Sequence, residues 1–292
     1  MLVLFVLLHL MACQPDSASS GNSGSDTEST ATDTEPTDTA TDSGNAVTLV
    51  FAGLTRIVDA VGASDGVVYA SGEGAAGPGV YRWDGALTRV RAVSTPAALV
   101  AGTDDQVYAI DGSDILRVSD GAVVEGPGPY SPSALDLMPT GQGDRLTFGG
   151  SEPRGGAIGA YTVKAAGGAV ALVGEGYAAA PRWLYRPGAE TVWTLHADGH
   201  LWLVPSDSDT AVDVGGGFPV GGLGGNADGT VLFLGDGAAL ATYDTVAAAL
   251  SAYPLDLPDG SVLSVHAEPG GATLVLGVQS SDGAAVYRTA TP

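Results

Sequence analysis

Five polar side chains stand out when six β-rich segments of the chain are aligned: Asp59, Asp136, Tyr185, Arg186 and His266. Carboxylates, an imidazole, a phenol and a guanidinium could bind a ligand or exchange protons with it. Successive strand residues face opposite sides, so at a given height only one aligned column can face a common channel. The two columns are Asp59, Val100, Asp136, Tyr185, Gly224 and Val265, and then Ala60, Ala101, Leu137, Arg186, Gly225 and His266. Ala, Val and Gly interrupt both columns, so we treat the five residues as candidate binding positions and predict no catalytic residue.

Two histidines and a group of aspartates are the remaining candidates for metal binding. His196 and His200 are four residues apart, a spacing that binds zinc on a helix, but Asp198-Gly199 between them indicates a hairpin turn. We therefore interpret them as surface histidines without a metal. Asp207, Asp209 and Asp213 could contact Ca²⁺, yet they lack the glycine and glutamate of an EF-hand loop.

Two further sequence motifs bear on calcium binding and on serine-hydrolase chemistry. Gly221-Gly222-Leu223-Gly224-Gly225-Asn226 resembles a calcium-binding glycine-rich nonapeptide, with Asn226 in place of its aspartate. Turns are the simpler interpretation of both this segment and the aspartates, so Ca²⁺ stays an alternative and no cofactor is predicted. One Gly-x-Ser-x-Gly match occurs, at residues 62–66, but its Asp65-Gly66 pair indicates a hairpin turn rather than a strand-to-helix elbow, so a serine hydrolase is not favoured.

Charge and cysteine content exclude several classes of protein. The 292 residues carry 33 acidic and 11 basic side chains, for a formal charge of −22. Phosphate recognition needs clustered cations, so a nucleic-acid partner is excluded. A single cysteine excludes an intrachain disulfide framework and a cysteine-cluster metal site.

The elements that must position the candidate residues are short strands in a repeat. Segments beginning at residues 68, 107, 146, 192, 231 and 274 are equivalent, with separations of 39, 39, 46, 39 and 43 residues. Asp-Gly pairs such as Asp84-Gly85 and Asp198-Gly199 separate the runs and are typical of tight hairpins. Units of about 41 residues with four strands each are typical of propeller blades.

The length of the repeat region predicts the number of blades and the way the ring closes. Residues 47–292 divide into six such units, and a seven-bladed ring is the alternative. The last unit has room for three strands, whereas Val47–Phe51 stands alone before the first unit. We predict an all-β, six-bladed propeller in which this N-terminal strand pairs with a strand near Ala285 to Thr289. Such pairing would remove sheet edges that could aggregate.

One unit of the repeat resembles known propellers. Residues 100–111, continuing to residues 115–121, resemble the first three strands of a blade in six-bladed NHL and TolB-like propellers. The resemblance implies a fold rather than an activity, because this architecture serves enzymes, binding proteins and scaffolds.

The N-terminus indicates where the protein resides. Residues 1–12 are almost wholly apolar, too short to span a bilayer and suited to a signal peptide. Leu10-Met11-Ala12-Cys13 resembles a bacterial lipobox, which implies cleavage before Cys13 and acylation of its thiol, with chains such as palmitate. Residues 13–46 are rich in Thr, Ser and Asp, contain seven acidic and no basic residues, and are predicted to be a disordered tether. Residues 47–292 form the propeller domain.

These features predict a lipid-anchored protein of the bacterial cell envelope, with Gln14 favouring the outer membrane. Its propeller would act as a monomeric binding or scaffold module for an envelope protein or glycan. The alternative is a periplasmic or surface enzyme, such as a calcium-assisted hydrolase or lactonase with its site at the channel.

Replacing Cys13 tests the anchor. In a Cys13→Ser variant no thiol can be acylated, and two or three acyl chains are what make attachment stable. The protein should therefore move from the membrane fraction to the soluble fraction, as measured by immunoblotting. Unchanged membrane association of the variant would contradict the lipoprotein assignment.

Overall fold

The structure is a computed structural model that describes residues 44–64, 66–103, 106–138, 144–153, 156–188 and 191–292. Cys13, the signal peptide of residues 1–12 and the tether as far as residue 43 lie outside the described residues. No helix in the described part of the chain is long and apolar enough to cross a membrane. One short 3-10 helix, Gly128–Tyr130, accompanies 22 strands.

The strands, in chain order, are β1 (Val47–Gly62), β2 (Val68–Gly74), β3 (Gly77–Trp83), β4 (Leu87–Ala92), β5 (Leu99–Ala101), β6 (Val107–Asp111), β7 (Asp114–Arg117), β8 (Ala134–Met138), β9 (Arg145–Ser151), β10 (Ile158–Lys164), β11 (Ala171–Glu175), β12 (Trp183–Tyr185), β13 (Val192–Leu195), β14 (Leu201–Val204), β15 (Val212–Gly215), β16 (Leu223–Gly225), β17 (Val231–Asp236), β18 (Ala239–Asp244), β19 (Ala249–Pro254), β20 (Ser261–Ala267), β21 (Thr273–Ser280) and β22 (Gly283–Ala290).

Strands that follow one another in sequence pair as antiparallel meanders. The hydrogen-bonded sheets are β5-β6-β7, β8 to β11, β12 to β15, β16 to β19, and a seven-stranded sheet ordered β20-β21-β22-β1-β2-β3-β4. Six strands contact one another in a closed circuit: β1 contacts β5, β5 contacts β8, β8 contacts β12, β12 contacts β16, β16 contacts β20, and β20 contacts β1. We call these six the inner strands. The fold is an all-β propeller.

The sheets confirm the sequence repeat. The six equivalent runs form the second strands β2, β6, β9, β13, β17 and β21, each adjoining an inner strand. The Asp-Gly pairs form the expected hairpins: Gly85 joins β3 to β4 at a φ of 101°, and Gly199 joins β13 to β14 at a φ of 81°. Positive φ values are available to glycine without steric cost, which explains its place in these turns.

Strand β1 belongs to both ends of the repeat. Its first half pairs with β22, with Val47 opposite Thr289 and Phe51 opposite Val286, which is the pairing predicted from the sequence. The strand is longer than the predicted Val47–Phe51, because it continues to Gly62 and its second half pairs with β2. Gly53, at a φ of 112°, lies between the halves with β-bulges on either side, so the backbone changes direction without leaving the sheet.

Contacts with the domain begin two residues before Val47. The backbone N–H of Asn45 donates to the Pro254 carbonyl at 2.9 Å, and the Asp256 N–H donates to the Asn45 carbonyl at 3.0 Å. The hydroxyl of Thr289 donates to the carbonyl of Ala46 at 3.1 Å. The predicted tether, drawn to residue 46, therefore includes two residues at its end that pair with β19 and β22.

Apolar side chains fill the spaces between neighbouring sheets. Leu135 of β8, Phe148 of β9 and Tyr161 of β10 share one core cluster with Val100 of β5, on the adjacent sheet. The rings of Phe148 and Tyr161 stack with centroids 5.8 Å apart. Such packing fixes each inner strand against its neighbours and so gives the channel a rigid wall.

Removing the first half of β1 should unfold the domain. Phe51 is 3% exposed and its ring lies 5.7 Å from that of Trp83, so its loss alone should cost about 3–5 kcal/mol. Domains are typically stable by only about 5–15 kcal/mol. A chain beginning at Gly53 should therefore aggregate or show no cooperative thermal transition.

A chain beginning at Gly44 is the matched control, since it keeps the Asn45 contacts and should melt at the temperature of the full chain. Equal melting temperatures for the chains beginning at Gly44 and Gly53 would show that the β1–β22 pairing does not hold the ring together.

Candidate functional site

Two cavities lie between the inner strands. The first, of about 600 Å³, is lined by residues 55–59, 96–98, Ser133, Arg182, Trp183, Leu263 and Gln279. The second, of about 360 Å³, is lined by Val61, Gly62, Ser64, residues 100–103, Asp136, Leu137 and residues 266–269. The inner strands run from the first set of residues toward the second. The two cavities therefore lie at opposite ends of the channel.

Asp59 connects three inner strands. Its carboxylate accepts the N–H of Ala60 on β1 at 2.9 Å and the N–H of Leu99 on β5 at 2.7 Å. The Nε2 atom of His266 on β20 lies 2.8 Å from Asp59 Oδ1. The side chains are 9% exposed for Asp59 and 21% for His266, so the pair is largely sheltered from water. Asp59 therefore joins the beginning of the repeat to its second unit and to its last.

Asp136 repeats the same arrangement on β8. Its Oδ1 accepts the N–H of the next residue, Leu137, at 2.8 Å, and its Oδ2 accepts the N–H of Arg186, which follows β12. In both cases an aspartate on one inner strand binds its own neighbouring N–H and an N–H on the adjacent inner segment. A buried carboxylate needs such donors, because an unpaired buried charge is costly.

Arg186 and Tyr185 are directed toward neighbouring sheets. The Arg186 guanidinium donates to the hydroxyl of Thr147 on β9 at 2.8 Å and to the Gly188 carbonyl at 3.0 Å. The Tyr185 hydroxyl donates to the carbonyl of Asn226, which follows β16. Both residues join β12 to its two neighbours, whereas Asp136 and His266 line the second cavity.

The five candidate residues nevertheless form one electrostatic group. Burial raises the pKa of Asp136 to about 6, although the two N–H donors, His266 and Arg186 oppose the rise. Burial lowers the pKa of His266, but Asp59 and Asp136 outweigh this effect and the net pKa is raised. Burial, followed by the charge of Asp136, also raises the pKa of Tyr185. A carboxyl group whose pKa is raised to about 6 and an imidazole whose pKa is also raised thus line the second cavity, and such groups can transfer protons.

His196 and His200, both expected on the surface, lie in different environments. His196 is 3% exposed rather than on the surface, because its ring packs against Tyr177 and Trp202 at centroid distances of 5.2 and 5.9 Å. Burial lowers the pKa of His196. His200 instead lies on the surface with its Nδ1 atom 3.1 Å from Asp213. The alternation of side chains along a strand could not predict the burial of His196, since the aromatic residues around it come from separate segments.

Two of the three calcium candidates make local contacts, Asp213 through its side chain and Asp209 through its backbone carbonyl. Asp213 contacts His200, and the carbonyl of Asp209 accepts the N–H of Glu175 at 2.7 Å. Throughout the described ranges no three His, Cys, Asp or Glu side chains are grouped so that they could hold a metal ion.

The glycines of residues 221–225 allow close packing of β16 on β20. A Cβ atom added to Gly224 would lie 2.7 Å from the carbonyl oxygen of Val265, and one added to Gly225 would lie 2.4 Å from the Tyr185 ring. Contacts this short do not occur for real side chains, so these positions require glycine. Backbone approach explains this motif without a bound ion.

Sequence reasoning missed two residues of the first cavity, Arg56 and Arg182. They stand three positions before Asp59 and Tyr185, so extending the aligned inner-strand columns toward the N-terminus would have placed both in one column. Arg182 lies over the Trp183 ring, with its guanidinium carbon 4.3 Å from the centroid. Both arginine side chains are exposed.

No protein-family model matches the chain, and no curated protein matches it. Solved structures do share its fold. A protein of unknown function from Bacteroides thetaiotaomicron aligns with a TM-score of 0.62 and 14% identity, over 85% of this chain and 73% of that one. The WD40 repeats of RRP9 align with a TM-score of 0.57 and 11% identity, over 85% and 99%. Virginiamycin B lyase from Staphylococcus aureus aligns with a TM-score of 0.51 and 14% identity, over 84% and 87%. At these identities the similarity shows the β-propeller fold alone.

Asp136→Asn should alter the pH dependence of stability. The pKa of Asp136 is about 6 in the folded chain against an ordinary 3.8, so between these values the folded state binds more protons than the unfolded state. The free energy of unfolding should therefore fall as pH rises from about 4 to about 6, by at most about 3 kcal/mol. His266, with a raised pKa, adds a fall of the same sign as pH rises through its folded value.

In the Asn variant the contribution of Asp136 is absent, so urea denaturation across this pH range should give a shallower decline. The exposed Asp282→Asn is the control and should keep the parental slope. A parental slope in Asp136→Asn would contradict the raised pKa.

Proposed function

We propose that this chain is a lipoprotein of the bacterial cell envelope whose propeller binds a ligand without transforming it. Residues 1–12 are the signal peptide, Cys13 carries the acyl chains, residues 13–46 are the tether, and residues 47–292 are the propeller. The outer membrane is the favoured site, the protein acts as a monomer, and its partner is an envelope protein or glycan. The composition argues against nucleic acid, since the propeller carries 26 acidic and 11 basic residues.

We also propose that the propeller has six blades, as in NHL and TolB-like proteins. The circuit of six inner strands supports this number. Counted this way, the seven-stranded sheet is two blades that share β1, with β20 innermost in one and the second half of β1 innermost in the other. The three-stranded sheet gains a rudimentary outer strand through the bridge between Leu116 and Val123.

The polar side chains of the channel hydrogen-bond to neighbouring strands, and this observation favours binding over catalysis. Asp59, Asp136 and Arg186 each donate to or accept from groups on neighbouring inner strands or sheets. A catalytic group must instead offer its proton or lone pair to a substrate. These side chains therefore suit a rigid scaffold that presents its two channel mouths.

The end of the channel at which the chain enters the propeller favours the first cavity, at the opposite end, for ligand binding. Thr48 lies opposite Arg288, whose guanidinium binds Glu268 at the second cavity. The first half of β1 then leads to Leu54, next to the first cavity, over roughly 20 Å of strand. The described chain therefore enters the propeller at the second-cavity end, and the first cavity lies at the other end of the channel.

The second cavity supports the alternative function, an enzyme of hydrolase or lactonase type. Asp136 and His266 line it, and the pKa of each is raised. One fold neighbour is a lyase by name. Such an enzyme would use this pair as its acid and base, and a Ca²⁺ ion would need ligands beyond it.

Binding to isolated envelopes tests the proposal. The full-length Cys13→Ser chain has no acylated thiol, so its retention on envelopes from cells that lack this protein reports binding by the protein itself. The labelled chain should be retained saturably, and an excess of unlabelled chain should displace it. Retention that does not saturate, or none, would overturn the binding function.

A further inference from the structure

We propose that the first cavity binds a small molecule carrying carboxylate or phosphate groups, held between Arg56 and Arg182. This inference rests on the binding function proposed above and specifies the chemical class of its ligand. Of the residues that line the cavity, the charged ones are Arg56, Arg182 and Asp59. Asp59 is 6% exposed and already binds His266 and two backbone N–H groups. The accessible charge of the cavity wall is therefore positive.

The positive cavity contrasts with the domain as a whole, in which 26 carboxylates outnumber 11 cations. Three other arginines of the described chain take carboxylate partners: Arg82 pairs with Asp84, Arg117 with Asp120, and Arg288 with Glu268. Within the same residues, Arg56 and Arg182 have no carboxylate at ion-pair distance. Glu73 lies opposite Arg56 in the β1–β2 register, but the two side chains do not form an ion pair.

The two arginines line the same cavity from opposite positions in the circuit of inner strands. They occupy equivalent repeat positions on β1 and just before β12. Around the circuit of inner strands, β5 and β8 separate them on one side, and β16 and β20 on the other. A ligand with anionic groups at two ends can therefore contact both, whereas a single small anion contacts one.

Arg182 is held in place for this role. Its guanidinium lies over the Trp183 ring at 4.3 Å, an attraction that limits the conformations of a long side chain. A planar guanidinium donates two parallel hydrogen bonds to a carboxylate or phosphate, which an ammonium group cannot do. The remaining wall is neutral, with Pro96, Ala97 and Leu263 among its members, so little competes with the arginines for an anion.

Calorimetric titration of the full-length Cys13→Ser chain tests the site with citrate, inorganic phosphate and acetate. Citrate carries carboxylates at both ends and phosphate carries a single anionic group with several oxygens. We expect the tighter of the two to bind with a Kd of about 1 mM or below, and at least about tenfold more tightly than acetate. The preference between citrate and phosphate then identifies the ligand's anionic group.

Arginine variants connect the binding to this cavity. If citrate is the tighter ligand, Arg56→Gln and Arg182→Gln should each weaken it about tenfold, because each removes a charge-assisted contact; if phosphate is tighter, one of the two variants should do so. Arg182→Lys should recover only part of the loss. Arg89→Gln is the matched control, since Arg89 is an exposed arginine on β4 whose guanidinium contacts the Pro78 carbonyl, and it should bind like the parent. The three arginine side chains are exposed, so the melting temperatures of the four variants should stay close to that of the parent.

Two results would overturn the site: no binding of either citrate or phosphate at millimolar concentration, or equal weakening by Arg89→Gln. Saturable retention on envelopes combined with either result would reject the arginine site and keep the binding function. Citrate binding that depends on Arg56 and Arg182, without envelope retention, would keep the site and reject the envelope partner.

Discussion

Closure of the ring through β1 is the constraint on which the other features depend. The first half of β1 hydrogen-bonds to β22 and its second half hydrogen-bonds to β2. Neither β22 nor β2 is therefore left with an unpaired edge at this junction. The junction is also fastened on the inside, where His266 contacts Asp59 and the Ser264 hydroxyl accepts the N–H of Ala60 at 3.1 Å. On the outside, Asn45 pairs with Pro254. The beginning and the end of the repeat are therefore joined both at the inner strands and at the outer strand β19.

This closure explains why the conspicuous polar residues of the channel serve structure. Short inner strands such as β5 and β12 have three residues each and can pair with their own sheet through few hydrogen bonds. Asp59 and Asp136 supply further bonds by accepting N–H groups from those same segments. Their carboxylates accept hydrogen bonds from neighbouring backbone, which lower the pKa of Asp136, whereas desolvation by burial raises this pKa and prevails. The exposed Arg56 and Arg182, by contrast, join no inner strands to one another among the described contacts.

Much of the architecture could be predicted from the sequence because it depends on local patterns. Alternating apolar residues and Asp-Gly turns recur at a regular spacing, and this was enough to identify the second strands, the inner-strand columns and the β1–β22 pairing. The directions of side chains could not be obtained in this way. Arg186 bonds to Thr147, 39 positions earlier, and His196 is enclosed by Tyr177 and Trp202. Contacts of this kind depend on how separate sheets pack, which periodicity along one strand does not encode.

The charge distribution also determines which kinds of anion the molecule can accept. A propeller with a net excess of carboxylates repels an extended polyanion, whose many charges would lie along the acidic surface as well as near the arginines. A small anion experiences a different field, because charges beyond the Debye length of about 8 Å are largely screened at physiological ionic strength. Among the residues that line the first cavity, the accessible charges are those of Arg56 and Arg182, since Asp59 is buried and paired with His266. The same composition that argues against nucleic acid is therefore compatible with the proposed site for small organic anions.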